Sequence, residues 1–229
     1  MRRLLTAESL QAGPLVITGE EAHHARNVLR LRVGDQVYVH DGAGYRAAAT
    51  ITDLGRHALS LALEQPESVP DSAASGIHVV TAAPKGSRFE DLVRGLTELG
   101  VGQISPLRCQ RSVRDPNLER AERVAAEALK QCGRGRLPKI GPVVDFSSCQ
   151  NLPQPRILLD PAGGLARPGA PGKVTLMIGP EGGFTAEERA QLLDQGAVAV
   201  RVAGPILRIE TAALAAAAIW ASAWEHNEH

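Results

Sequence analysis

Two short loops carry the residues of this chain that could do chemistry. The first, Gly179–Phe184, reads Gly-Pro-Glu-Gly-Gly-Phe and follows an apolar run, Val174–Ile178, that predicts a buried strand. Its three glycines and its proline suit a backbone that bends sharply and lies close to a ligand. The second loop, Gly204–Ala212, contains Arg208 and Glu210. We expect the two loops to meet and to form one ligand site.

The glycine spacing of the first loop argues against the common phosphate-binding loops. It matches neither GxGxxG nor GxxxxGK[ST], and it contains no lysine. A dinucleotide or a nucleoside triphosphate is therefore disfavoured, although a glycine loop after a parallel strand is a common place for a small ligand. A tight turn without a ligand explains the loop equally well. Glu181, its one ionisable group, would either bond to backbone N–H groups or contact a cationic or hydroxylated ligand.

Arg208 is harder to explain by structure alone than its neighbour Glu210. The helix dipole favours a carboxylate near the N-terminus of a helix, which accounts for Glu210, but it repels a cation there. We therefore expect Arg208 to face a partner or a substrate. Other arginines fall in loops or at helix ends: Arg88, Arg111, Arg114, Arg134 and Arg136. Residues 85–140 hold twelve basic and seven acidic side chains, and such a basic segment suits an anionic polymer.

Composition excludes several other functions. The chain has 25 basic and 25 acidic side chains, so its net charge alone predicts no partner. Cys109, Cys132 and Cys149 lack CxxC spacing, which argues against a zinc site or a disulfide framework and fits a reducing compartment. His23-His24 has no ligand cluster around it, so packing or surface histidines are expected. The apolar stretch Thr211–Trp224 is about four residues short of a membrane span.

The elements that must position the two loops divide the chain into two parts. Residues 1–65 predict a compact, mostly β unit with one helix and with strands at 14–18, 36–40, 45–52 and 58–63. Residues 66–75 are polar, contain two prolines and predict a linker. Residues 76–229 alternate strands with helices, which predicts an α/β domain with a parallel sheet.

Several helix boundaries can also be predicted. A hydroxyl residue followed three residues later by glutamate predicts a capping box at Thr18, Ser87 and Thr185. A further helix is expected to begin at Asp115-Pro116, with the aspartate as its N-cap. The last helix, Glu210–Trp224, is apolar nearly all round, so it must be covered on more than one side. The sheet can cover one side, and a second subunit on the other predicts a homodimer.

The two loops also belong to a longer pattern that runs in order along nearly the whole chain. The loop motifs are Ile178-Gly179-Pro180-Glu181-Gly182-Gly183-Phe184-Thr185-x-x-Glu188 and Ile206-Leu207-Arg208-x-Glu210-Thr211-Ala212. Earlier motifs are Pro84-Lys85-Gly86, Thr97-Glu98-Leu99-Gly100-Val101, Arg111-Ser112-Val113 and Gln131-Cys132-Gly133-Arg134. Together they resemble the bacterial 16S rRNA (uracil-N3)-methyltransferase family.

The resemblance implies a fold and an activity beyond what the residues alone predict. It implies that residues 76–229 form a SPOUT-type domain, an α/β parallel sheet with a trefoil knot and a dimerisation helix, and that residues 1–65 form a PUA-like β-barrel that binds RNA. The implied activity is S-adenosylmethionine-dependent methylation of N3 of a uridine in 16S ribosomal RNA. It needs no metal and no membrane. The enzyme is expected to be a cytoplasmic homodimer acting on ribosomal RNA or on the small ribosomal subunit.

Carried over by position, the resemblance implies three groups of site residues. The methyl donor would be held by Leu159, Gly179, Pro180, Glu181, Gly182, Gly183, Val202, Ala203, Ile206 and Leu207. RNA would be bound by Arg30, Lys85, Arg88, Arg111 and Arg134. Arg208 would stabilise the negative charge that develops when uracil N3 loses its proton. Glu210 would orient Arg208 or take that proton.

Two other functions stay open from the sequence. A related knotted methyltransferase that acts on ribose 2′-hydroxyls would be expected to carry similar loops. A non-catalytic RNA-binding module would keep the basic face around a vestigial pocket. Product analysis separates the first alternative from base methylation, and a measurement of donor binding tests the second.

Overall fold

The computed structural model describes residues 1–226 and divides into two compact units. The first unit comprises Met1–Asp71 and Ala126–Leu137, and the second comprises Ser72–Ala125 and the chain from Pro138 onwards. The last three residues of the predicted 76–229 domain lie outside the described residues.

The first unit is built on a mostly antiparallel sheet. Its first elements, in chain order, are β1 (Arg2–Leu5), β2 (Gly13–Thr18), α1 (Gly19–His23), β3 (Gln36–His40), β4 (Tyr45–Leu54), β5 (Ala58–Leu63) and β6 (Glu67–Ser68). The strand order is β1-β3-β4-β5-β2, with β6 paired to β4. The predicted strands β2 to β5 are confirmed, because their alternating apolar residues form one aliphatic core. β1 and β6 show no such alternation and were not predicted. They form by pairing, β1 with β3 and β6 with β4.

The first helix differs from its prediction at both ends. The Thr18 side chain makes no capping bond, and the Glu21 carboxylate, expected to complete the box, instead accepts a hydrogen bond from the Leu5 N–H at 3.0 Å. After α1 the chain continues as one π-helical segment, His24–Val28. Arg30 then takes a left-handed φ of 54°, so the helical run is shorter and less regular than predicted.

The second unit is organised around a parallel sheet. Its elements are β7 (Ile77–Ala82), α2 (Arg88–Glu98), β8 (Gln103–Arg108), α3 (Leu118–Cys132, shared with the first unit), β9 (Lys139–Ile140), β10 (Val144–Asp145), β11 (Arg156–Leu165), β12 (Val174–Ile178), α4 (Ala186–Asp194), β13 (Val198–Arg201) and α5 (Ile209–Glu225). The strand order is β10-β8-β7-β12-β11-β13, and these neighbours all pair in parallel. The predicted parallel α/β architecture is confirmed.

The centre of this sheet is covered on both faces. All residues of β7 and β12 are buried, as the continuous apolar runs of a doubly covered parallel sheet require. The last helix, α5, packs against α2, β7 and β12. Gly95 of α2 permits close approach, since an added Cβ there would lie 2.6 Å from a methyl carbon of Leu214. Neither α5 nor any other helix within residues 1–226 is long and apolar enough to cross a membrane.

The helix starts of the second unit show which local signals were sufficient. The predicted capping box at Thr185 forms. The one predicted at Ser87 does not, because Ser87 has helical φ and ψ angles and its side chain makes no capping bond. α3 begins at Leu118 rather than at Asp115-Pro116, and Asn117 Oδ1 accepts a backbone N–H of its first turn at 2.9 Å.

Buried His78 makes the stability of the second unit depend on pH. Burial, and secondly the charge of Lys139, lower the pKa of His78 from 6.5 to about 4, while its Nε2 lies 2.9 Å from Ser105 Oγ. Between these pH values the unfolded chain binds a proton that the folded chain excludes. The contribution of neutral His78 is therefore complete above pH 6.5 and is lost as the pH falls towards 4.

When the pH is lowered from 7 to 4, the free energy of unfolding of His78→Gln should fall by about 3 kcal/mol less than that of the wild type. Urea unfolding at a series of pH values measures this difference. His226→Gln, which changes an exposed histidine just beyond α5, is the control and should follow the wild type. Parallel pH profiles for the wild type and His78→Gln would contradict the assignment.

Candidate functional site

A cleft of about 870 Å³ opens at the carboxyl edge of the parallel sheet in the second unit. β11, β12 and β13 run in the same direction, so the loops that follow them gather at this edge. Gly179–Phe184 follows β12, and residues 202–208 follow β13. The structure therefore brings the two loops of interest together on one cleft.

Every residue predicted to hold the methyl donor lines this cleft. These residues are Leu159, Gly179, Pro180, Glu181, Gly182, Gly183, Val202, Ala203, Ile206 and Leu207. Arg88 and Arg208 also line it, whereas Glu210 is half-buried in the first turn of α5. The roles of these residues stay predictions, but their shared position is one that a single small molecule would contact.

The glycine loop is a tight turn packed against Phe184. The Gly183 N–H donates to the Pro180 carbonyl at 2.8 Å, and Gly183 has a φ of 69°, which L side chains rarely adopt. At Gly179 an added Cβ would lie 2.8 Å and 2.9 Å from two ring carbons of Phe184. Glycine at these two positions lets the turn form and keeps its backbone accessible from the cleft.

Glu188 anchors the end of the glycine loop. Its Oε2 accepts the Thr185 N–H at 2.9 Å, and its own N–H donates to Thr185 Oγ1 at 3.2 Å, which completes the capping box. Its Oε1 accepts the Gln110 N–H at 2.7 Å. This buried carboxylate thus ties the start of α4 to the loop after β8. The same loop carries Arg111, whose guanidinium donates to the Gly182 carbonyl.

We expect Glu188→Ala to lower the free energy of unfolding by about 3 kcal/mol. The substitution leaves the buried Thr185 N–H and the partly buried Gln110 N–H without their acceptor, and an unsatisfied buried donor costs about 1–3 kcal/mol. Urea unfolding monitored by circular dichroism measures the change. Glu122→Ala, on an exposed face of α3, is the control. A loss no larger than that of the control would show that the carboxylate is not what anchors the loop.

Arg88 links the two loops by ion pairs. Its guanidinium lies 2.9 Å from Glu181 Oε1 and 3.6 Å from Glu210 Oε1. The structure therefore pairs Glu210 with Arg88, where the sequence predicted Arg208 as its partner. It also gives Glu181 a cationic side chain as its partner. The second oxygen of Glu210, Oε2, is buried and has no hydrogen-bond partner within the described part of the chain.

Arg208 is the N-cap residue of α5, and its side chain is exposed to the cleft. Its carbonyl oxygen accepts the Ala212 N–H at 2.8 Å, so its backbone starts the helix. Within residues 1–226 its guanidinium has no hydrogen-bond or ion-pair partner. The side chain is thus available to an incoming group.

A second ion pair in the cleft, between Asp160 and Arg189, was not predicted. Arg189 Nε donates to Asp160 Oδ2. Burial opposes ionisation of Asp160, but the hydrogen bonds from Arg189 and the Ala162 N–H, with the Arg189 charge, outweigh it and hold the Asp160 pKa below its ordinary value. Asp160 follows an apolar run at the carboxyl end of a parallel strand, and this position could have indicated from the sequence that it belongs to the site.

The other residues predicted to bind RNA lie in both units. Lys85 is exposed in the loop before α2, and Arg111 is exposed in the loop after β8. Arg30 and Arg134 belong to the first unit, where Arg30 is exposed. The Arg134 side chain is only 12% exposed and lies 3.9 Å from Asp71, and burial lowers its pKa.

A parallel sheet with a glycine-lined cleft at its carboxyl edge defines an α/β protein that binds a small ligand. Comparison with known families shows which family within this class the chain matches. Residues 71–221 match the RNA methyltransferase domain, and residues 17–64 match the RNA methyltransferase PUA domain. The chain belongs to the RNA methyltransferase family.

Individual relatives agree with this assignment. The ribosomal RNA small subunit methyltransferase E of Mycobacterium bovis is 32% identical, over 92% of this chain and 88% of that protein. A methyltransferase of Legionella pneumophila, solved in complex with SAM, has a TM-score of 0.91 at 27% identity and covers 97% of each chain. The ribosomal RNA small subunit methyltransferase E of Neisseria gonorrhoeae, bound to S-adenosyl methionine, has a TM-score of 0.90 at 27% identity over 98% of each chain. The resemblance drawn from the sequence is confirmed.

Proposed function

We propose that this protein transfers a methyl group from S-adenosylmethionine to N3 of a uridine in small-subunit ribosomal RNA. The observation that carries the proposal is the convergence of all ten predicted donor-binding residues on one glycine-lined cleft. The relatives support it: the Mycobacterium bovis protein is named as a small-subunit ribosomal RNA methyltransferase, and the Neisseria gonorrhoeae protein has S-adenosyl methionine bound.

The cleft fits such a donor in size and in chemistry. Its volume of about 870 Å³ falls within the range of about 300–1,000 Å³ that is usual for small-molecule sites. The glycine backbone offers N–H and C=O groups to an adenine edge, while Leu159, Ile206 and Leu207 offer apolar surface. Bound there, S-adenosylmethionine would supply the methyl group of a sulfonium, whose sulfur would leave as a neutral thioether when the methyl group is displaced in one step.

Arg208 is the residue we assign to the uracil. Uracil N3 carries a proton at neutral pH, and its loss places negative charge on the O2 and O4 carbonyl oxygens. A guanidinium that lines the cleft without an intramolecular partner in residues 1–226 can donate hydrogen bonds to one of these oxygens. This stabilisation is strongest after the proton has left, so it lowers the barrier to reaction.

Glu210 is the proposed proton acceptor. Its Oε1 is held by Arg88 at 3.6 Å, and its buried Oε2 has no partner within residues 1–226. No protein donor in that part of the chain competes for this oxygen, which is what a group that takes up a proton requires. In this assignment Arg88 positions Glu210, which replaces the earlier expectation that Glu210 orients Arg208.

The basic residues of both units are the proposed RNA contacts. Lys85, Arg88 and Arg111 belong to the unit that carries the cleft, and Arg30 and Arg134 belong to the first unit. Neutralising phosphates with such side chains makes RNA binding weaken as salt rises. We assign residues 1–65 to a PUA-like β-barrel that binds RNA, 66–75 to a linker and 76–229 to the methyltransferase domain.

A trefoil knot in the second unit is part of the proposal. β13 pairs with the outer side of β11, yet α5, which follows it, packs against α2, β7 and β12. Residues 202–208 must therefore return across the carboxyl edge of the sheet, as the threading of a SPOUT-type knot would require. The cytoplasm is the proposed location, and the free thiols of Cys109, Cys132 and Cys149 support it.

A homodimer that forms through α5 is also proposed. Several apolar residues of this helix remain only half-buried in the single chain, among them Ala215, Ala218 and Ile219. A second subunit would cover them. Sedimentation velocity at micromolar concentration should give the mass of two chains, and a monomer under these conditions would remove this part of the proposal.

Two measurements test the activity itself. Titration calorimetry should detect S-adenosylmethionine binding to the purified chain, and label from a methyl-labelled donor should appear in small-subunit ribosomal RNA taken from cells that lack the protein. Failure to bind the donor at millimolar concentration would instead favour a non-catalytic RNA-binding module.

A further inference from the structure

The fold of the first unit brings two polar segments together at one end of its sheet. β2 and β5 pair antiparallel, and their last register pair is Thr18 with Ala58. The start of α1 therefore lies beside the turn that joins β4 to β5, which the Gly55 N–H closes by donating to the Ala58 carbonyl at 2.9 Å. This turn carries Arg56 and His57 at its tip.

A pocket of about 460 Å³ lies where these segments meet. It is lined by Gly19, His23, Arg26, Asn27, Arg56 and His57. The spacing of i, i+3 and i+4 puts His23, Arg26 and Asn27 on one side of the helical run. Asn27 Nδ2 lies 3.0 Å from His23 Nδ1. The same Asn27 nitrogen lies 3.4 Å from His23 Nε2, so the amide packs against the imidazole at this edge of the pocket.

The chemistry of this pocket suits an anion. Arg26 and Arg56 are exposed, and within residues 1–226 neither guanidinium has a hydrogen-bond or ion-pair partner. No carboxylate is among the residues that line the pocket. A metal ion does not fit, because two guanidinium groups would repel it and no cluster of three or more metal-ligating side chains exists in the described chain. Guanidinium groups present paired donors that match phosphate oxygens.

We propose that this pocket binds a backbone phosphate of the RNA. The inference rests on the proposed function, since it takes RNA to be the substrate. Its residues all lie within the segment 17–64 that matches the RNA methyltransferase PUA domain. They include none of the residues assigned to RNA from the sequence, of which Arg30 follows the helical run. The volume exceeds that of a single phosphate, which suits a phosphodiester with part of its neighbouring sugars.

The test compares the double variant Arg26→Gln/Arg56→Gln with Arg32→Gln, which changes an exposed arginine of the same unit outside the pocket. The probe is a fluorescein-labelled fragment of small-subunit ribosomal RNA, titrated in fluorescence anisotropy between 50 and 200 mM KCl. We expect the double variant to bind about 10-fold more weakly at the low-salt end. Its plot of log affinity against log salt should be shallower by about one, because each lost phosphate contact removes about 0.7–0.9 from the slope. Arg32→Gln should match the wild type in both.

Thermal unfolding checks that both variants fold, and calorimetry checks that both bind S-adenosylmethionine like the wild type. The proposal would be overturned if the double variant had the same RNA affinity and the same salt slope as Arg32→Gln. Binding of inorganic phosphate or AMP in this pocket with RNA affinity unchanged would also overturn it, since the site would then serve a free phosphate. The proposed function fails separately, when the wild type binds RNA but transfers no methyl group to it.

Discussion

Replacing Arg208 with alanine should slow methyl transfer by about 100- to 1,000-fold, the usual effect of losing one donor to a developing negative charge. Binding of the methyl donor and of RNA should stay near wild-type values. The reason is structural: the Arg208 carbonyl begins α5, but its guanidinium has no partner in the described chain. Alanine keeps the first contact and removes only the group assigned to the uracil.

Single-turnover kinetics with saturating donor and RNA measure this effect directly. Arg208→Lys keeps the charge but lacks the planar pair of donors, so it should recover only part of the rate. Arg167→Ala, on an exposed arginine in the loop after β11, is the matched control and should react at the wild-type rate. Near-normal turnover by Arg208→Ala would show that the catalytic assignment is wrong.

Gly179→Ala should weaken donor binding by about 10- to 100-fold. The new Cβ would lie within 2.9 Å of two ring carbons of Phe184, a distance that side chains essentially never show. Either the ring or the loop must move, and overpacking of this kind costs about 1–3 kcal/mol. Each rise of about 1.4 kcal/mol in the free energy of the donor-bound state lowers the affinity about tenfold.

Titration calorimetry with S-adenosylmethionine measures this loss, and two further variants locate its cause. Gly204→Ala is the matched control in the other loop, because an added Cβ there meets no atom within 4 Å. Combining Gly179→Ala with Phe184→Leu removes the ring and should restore part of the affinity. Wild-type affinity in Gly179→Ala alone would show that the donor does not depend on this turn.

Features predicted correctly from the sequence are those that local pattern determines. β7 and β12 are continuous apolar runs because both faces of a central parallel strand are covered. The Thr185 capping box formed because both of its hydrogen bonds lie within one turn. The glycine loop could be recognised as a site because it follows such a strand, at the edge where parallel sheets bind ligands.

Features that were missed depend on contacts between distant parts of the chain. Glu21 had the right spacing for a capping box, but its carboxylate is taken by the Leu5 N–H. The ion pairs of Arg88 were not predicted, because its partners Glu181 and Glu210 lie 93 and 122 residues further along the chain. Spacing along one helix does not reveal partners brought in by the sheet, so side-chain pairing was predicted less well than backbone structure.

The identity of the methylated atom tests the central claim most directly. Small-subunit ribosomal RNA from cells lacking this protein should be incubated with the purified wild type and S-adenosylmethionine, digested to nucleosides and analysed by mass spectrometry against standards. The account predicts 3-methyluridine, whose methyl group blocks Watson–Crick pairing, at a single site in the RNA. A 2′-O-methylated nucleoside, or RNA that gains no methyl group, would contradict it.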